Sequence, residues 1–162
     1  MRPIVILMTA MGLALAGGTR ADSPPGAPAT APDPAVLSLK ARLQAMGERD
    51  QAGRNRLLER AQRDGLPQNA PQYADLRKRQ RGIDFRNQGE LDEVVKRFGW
   101  PGVDRVGPVA AEAAFDVVLH AHLDYQKKYL PLIRAAVVAR QASAANLALL
   151  EDRVRASDQP PH

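Results

Sequence analysis

Gly99-Trp100-Pro101 is the tightest constraint on this chain, because it lies between two apolar-periodic segments and forbids one helix from running through both. Glycine supplies the positive φ that ends a helix, a large apolar side chain after it folds back onto the last turn, and proline blocks continuation. Before the corner, Leu91, Val94, Val95 and Phe98 recur at helical spacing. Asn87, followed three residues later by Glu90, reads as a capping box, so this helix is expected to start at about Gln88. After the corner, Gly107 reads as a cap and Pro108 as the first residue of a second helix. Trp100 is expected either to plug the corner against Val95 or to offer a platform for a ligand.

The helix opened by Pro108 is apolar on two sides. Ala110, Ala113, Ala114, Val117, Val118 and Ala121 form one, and Phe115, Leu119 and Leu123 form the other. Such a helix belongs at the centre of a bundle. Between its two sides runs a ladder at steps of four, Glu112, Asp116, His120 and Asp124, which flanks the imidazole with a carboxylate on each side. Carboxylate neighbours favour the imidazolium and suit His120 to acid-base chemistry. The same ladder also reads as a solvated edge or a structural network. A metal site is the third reading, but His122 points away from His120 and supplies no second ligand, so none is assigned.

Upstream, a long helix is expected from about Pro34 to Arg63, with an apolar stripe through Leu39, Leu43, Met46, Leu57 and Ala61. Asp50 projects into the middle of that stripe and Arg54 onto its edge, four residues apart with the acid first. They read either as a partly buried ion pair or as part of the lining of a polar cavity between helices. Residues 64–73 form a loop by their Gly, Pro and Asn content. Arg77, Lys78, Arg79 and Arg81 follow on different sides of a helical projection, so they form a solvated stretch and not a stripe for a phosphate backbone. Leu130-Pro131 reads as a break or a new helix start. Ser143 is expected to cap a last helix with Leu147, Leu150 and Val154 inward and Arg153 near its end.

The ends differ in kind. Arg2, the 13-residue apolar run from Ile4 to Ala16 and the small-residue close at Ala21 order themselves as a signal peptide, 1–21, too short to span a bilayer. Cleavage is expected after Ala21, with Ala16 as the second choice, leaving a periplasmic or secreted product with no membrane span. Residues 22–34 hold five of the 13 prolines and read as a disordered Pro/Ala-rich spacer. The domain is expected over 35–155 and a disordered tail over 156–162. With no cysteine, neither a lipid anchor at the cut nor a disulfide can form. Loss of Arg2 and Arg20 with the leader lowers the net charge from +5 to +3, a weak basic excess, and export makes nucleic acid an unsuitable partner.

Several of these positions together carry a resemblance. Asp50-Gln51 with Arg54, Asp84 with Asn87, Gly99-Trp100-Pro101, Val106-Gly107, His120-Ala121, Gln126, Leu130-Pro131 and the closing LALLEDRV resemble the uncharacterised bacterial family catalogued as domain of unknown function 6624, over about Leu43 to Val154. The family's closing Tyr-Gly pair has no counterpart in the tail. The resemblance implies a compact, often exported helical domain with polar residues at Asp50, Arg54, Asn87, His120, Gln126 and Arg153. The fold expected is an all-α, compact bundle of four to six helices packed around the Pro108 helix.

Two functions are expected of it. One is a periplasmic ligand-binding or protein-interaction module for a small molecule or an envelope protein, with Asp50, Arg54, Asn87, Trp100, Asp124, Gln126 and Arg153 around a polar pocket. The other is a metal-independent hydrolase or lyase without a cofactor, with His120 as general acid or base, Asp116 or Asp124 orienting it, and Arg54 or Arg153 holding an anionic group. The chain has no nucleophile elbow, phosphate loop or zinc motif.

Overall fold

Asp33 accepts a hydrogen bond from the amide of Ala35 at 2.8 Å, and Pro34 follows it in the first turn, so the long first helix starts with both a side-chain cap and a pre-set φ. The structure, a computed structural model, describes residues 33–158. The expected signal peptide, almost all of the spacer, and residues 159–162 of the expected tail lie outside the described residues. Those described form six α-helices and a 3-10 turn, Pro71–Tyr73, with no strand among them. The helices are α1 (Pro34–Asp64), α2 (Ala74–Phe98), α3 (Val103–Val106), α4 (Pro108–Leu119), α5 (Leu123–Val138) and α6 (Ala144–Asp158). No described helix is long and apolar enough to cross a membrane.

The inward stripe of α1 is the one its periodicity predicts. Leu39, Leu43, Met46, Asp50 and Ala61 are buried, and Leu57 packs on a small second core of Ala61, Ala70 and Tyr73. Against this stripe α2 runs antiparallel: Asn87 meets Met46, and Gln80 meets Asp50. Helix α4 runs in the same direction as α1. Gly47 permits their close approach, since a Cβ there would lie 2.8 Å from the Cβ of Ala113. Seven of the twelve residues of α4 are buried, consistent with its place at the centre.

Three local expectations are corrected. Asn87 does not cap a helix, because α2 continues unbroken through it. Its side chain is buried, donates to the Met46 carbonyl at 3.2 Å and accepts from Arg49 at 3.0 Å, while Glu90 accepts from Arg49 at 3.0 Å. Gln80, Asn87, Leu91 and Val94 share one buried face, so burial along α1 overrides the local capping signal. Pro131 does not break the chain either. It lies inside α5, where buried Tyr129, Leu130 and Ile133 hold the helix together despite one missing backbone donor. Finally, α4 ends at Leu119, and His122 caps α5, its Nδ1 3.4 Å from the amide of Tyr125.

The Gly99 corner is where a turn requires glycine, with φ of 73°. Trp100 packs against the core and meets Tyr129 of α5, their ring centres 6.3 Å apart. Next to it, the Val103 backbone amide donates to the Gln141 backbone carbonyl, and the Gln141 side-chain amide to the Asp104 carboxylate, so the α5–α6 connection brackets the corner. Asp92 of α2 accepts from Tyr125, Tyr129 and Lys128, which fastens α2 to α5. Ser143 caps α6 through the amide of Asn146, and Leu150 of α6 is fully buried.

Candidate functional site

Asp50 is a carboxylate in an otherwise apolar stripe, and at 1% exposure it needs partners. It has three. Arg54, one turn on along α1, places Nε 3.0 Å from Oδ2 and 3.2 Å from Oδ1. Gln80 of α2 donates to Oδ1 at 3.2 Å. His120, just past the end of α4, places Nδ1 2.9 Å from Oδ2, an ion-pair distance without the alignment of a linear hydrogen bond. Burial opposes ionisation of Asp50, yet the contacts with His120 and Arg54 outweigh it and hold the carboxyl below its ordinary range.

The network extends to a second acid. Arg54 donates to Asp84 at 2.9 Å and Gln80 to the same oxygen at 2.8 Å, so one guanidinium and one amide bridge two carboxylates. Asp84 shifts the opposite way: burial pushes its carboxyl up, Gln80 and Arg54 resist, and the charge of Asp50 adds to the rise. Gly53 makes room for the amide bridge. A Cβ there would stand 1.9 Å from Oε1 of Gln80, closer than any side chain tolerates.

His120 owes its position to the end of α4. Its amide bonds to the Asp116 carbonyl at 2.9 Å with φ of −89° and ψ of −6°, which closes the last turn of the helix. Gln126 donates to the carbonyls of Leu119 and Ala121, each at 2.9 Å, and Arg153 donates to that of Leu119 at 3.1 Å. These two predicted residues therefore hold the backbone on which His120 sits.

A groove of about 620 Å³ runs beside the cluster between α1 and α4, lined by Gln44, Gly47, Glu48 and Gln51 on one side and Pro108, Val109, Glu112, Ala113 and Asp116 on the other. Asp116 links the groove to the cluster. It lies one turn before His120 and 3.5 Å from the amide of Gln51. Burial raises its carboxyl above the ordinary range, His120 opposes this, and Glu112 and Asp50 reinforce it.

The structure thus brings together Asp50, Arg54 and His120 from two helices, with Gln126 and Arg153 behind them. Three other expected positions lie apart. Asn87 belongs to a separate set with Arg49 and Glu90. Trp100 lines a different cavity of about 230 Å³ with Phe115 and Gln141. Asp124 is exposed in the first turn of α5, since the end of α4 interrupts the four-residue ladder before it. Gln80 is the bridging residue that periodicity alone missed. Its spacing of four from Asp84 on one helix was the available signal. Among the described residues, no three His, Asp or Glu side chains are grouped to hold a metal ion.

No curated protein and no solved structure matches the chain. The family of unknown function DUF6624 matches residues 37–162, which include all six helices but for the first turn of α1. With Asp50, Arg54, His120, Gln126 and Arg153 all inside that span, the chain belongs to the family of unknown function DUF6624.

Proposed function

We propose that this chain is an exported ligand-binding module whose site is the groove between α1 and α4, with the Asp50–His120 pair one turn beyond Asp116. The observation that carries the reading is the 2.9 Å approach of His120 to an almost fully buried carboxylate beside an open groove. A packing domain has no need of such an arrangement, because a buried ion pair is on average no more stabilising than apolar residues of the same shape. Export is supported by the order of charge, apolar run and small residues over 1–21. It predicts that a reporter active only outside the cytoplasm works when fused to the whole chain and fails when 1–21 is deleted.

A thermal-shift screen of the purified chain against cell-envelope metabolites tests the binding reading. A ligand that raises Tm in the native chain but not in Asp116→Asn supports it. Ligands acting equally on both, or none acting, refute it.

One observation favours a second reading, a metal-independent hydrolase or lyase. With Nδ1 of His120 2.9 Å from a buried carboxylate, the ring is placed as in sites where a carboxylate orients a general acid or base and Nε2 exchanges the proton. Turnover of a screened ligand, lost in His120→Gln with binding retained, would establish this reading over simple binding.

A further inference from the structure

The ionisable groups lining the α1/α4 groove are all acids: Glu48, Glu112 and Asp116, with no lysine, arginine or histidine among the lining residues. Between them lie Gly47, Pro108, Val109 and Ala113, an apolar floor, and Val109 is 66% exposed although it belongs to the central helix. This acidity contrasts with the basic excess of the chain as a whole. Glu112 and Asp116 stand one turn apart on α4, and Glu48 faces them from α1. Basic side chains stand near its two ends: the Lys40 ammonium lies by Gly107, and His120 lies one turn past Asp116. Glu112 accepts a hydrogen bond from Asn146 at 2.7 Å, a neutral partner that leaves its charge uncompensated.

Taking the groove as the binding site proposed above, we infer that its ligand is a linear aliphatic diamine or polyamine. The ammonium groups pair with Glu48, Glu112 and Asp116, and the methylenes between them lie on the Pro108, Val109 and Ala113 floor. Charge complementarity selects this occupant. An anion of the same length meets three like charges, and a neutral chain leaves those charges uncompensated.

Isothermal titration of the full chain at low ionic strength, with putrescine as probe and n-butylamine, butanediol and succinate as comparators, tests the inference. Putrescine is expected to bind more tightly than n-butylamine, to weaken by about tenfold or more in a Glu48→Gln/Glu112→Gln variant, and to weaken as salt rises. Val109→Trp, which fills the floor without removing a charge, is expected to abolish binding. Both glutamates and Val109 are exposed, and circular dichroism of each variant confirms that it folds. If succinate or butanediol binds and Val109→Trp abolishes it while putrescine does not bind, the diamine assignment is overturned and the groove reading survives. Putrescine binding that is indifferent to both variants overturns the assignment as well. If no probe binds, the diamine assignment falls, and the groove reading is judged by its own metabolite screen.

Discussion

His120 and Asp50, one just beyond the end of α4 and the other in the middle of α1, meet with 2.9 Å between Nδ1 and Oδ2. The contact joins the two helices that wall the groove. It also ties the end of α4 to the bridged pair of carboxylates, so a change at any member of the set is felt by the others.

Removing the buried charge is the first test of this coupling. Asp50→Ala leaves Arg54 and His120 without their shared partner and is expected to destabilise the chain by about 3 kcal/mol, the lower end for a broken buried pair because Arg54 remains 30% exposed. Urea unfolding measures it. A loss within about 0.5 kcal/mol would mean that the ion pairs contribute little.

The acid response should carry two opposing signs. The folded-state carboxyl of Asp50 is depressed, so its contribution is present above the unfolded value of about 3.9 and is lost as pH falls through the lower folded value. Asp116 is raised, so its ionised form is a penalty at neutral pH that protonation relieves as pH falls. Asp116→Asn should therefore stabilise the chain at pH 7, by less than about 1 kcal/mol, and the gain should vanish towards pH 4. Unfolding midpoints at the two pH values check this, and a gain that grew on acidification would contradict it.

Glycines on the two long helices should diverge in sign. A Cβ at Gly89 meets nothing within 4 Å, and Gly89→Ala is expected to stabilise by about 0.4–1 kcal/mol. Gly53→Ala drives a Cβ into Gln80 and detaches it from Asp50 and Asp84, a net loss of about 1–2 kcal/mol despite the better helix former. Paired thermal unfolding curves separate the two.

The backbone beneath His120 has unequal supports. Gln126→Ala leaves the Ala121 carbonyl without its side-chain donor and removes one from Leu119, and is expected to cost about 1–2 kcal/mol. Arg153→Ala leaves Leu119 still bonded to Gln126 and should cost less than about 1 kcal/mol. The His120 ring resonances should shift more in the first variant than in the second, and the reverse order would show that Gln126 does not position the ring.

Much of this fold was legible because helix periodicity is a local property. The stripe of α1, the intrusion of Asp50 upon it and the stop at Gly99 all follow from residues a few positions apart. Asn87 shows the limit of such reading. A capping box can be recognised from four residues, but whether Asn87 caps or packs is decided by Met46 and Arg49 on another helix. His120 was legible from its ladder only in part: the end of α4 detaches Asp124, while Asp50, expected to converge with it from the first helix, lies 2.9 Å from its Nδ1. Gln80 stayed hidden because a glutamine becomes a bridge only when Gly53, from a distant segment, opens a path for it.

The most direct test of the convergence of α1 and α4 on one polar site is a double-mutant cycle between Asp50→Asn and His120→Gln, measured by urea unfolding. A coupling free energy of about 1–3 kcal/mol is predicted for residues in contact. Additivity within about 0.3–0.5 kcal/mol would contradict the shared site.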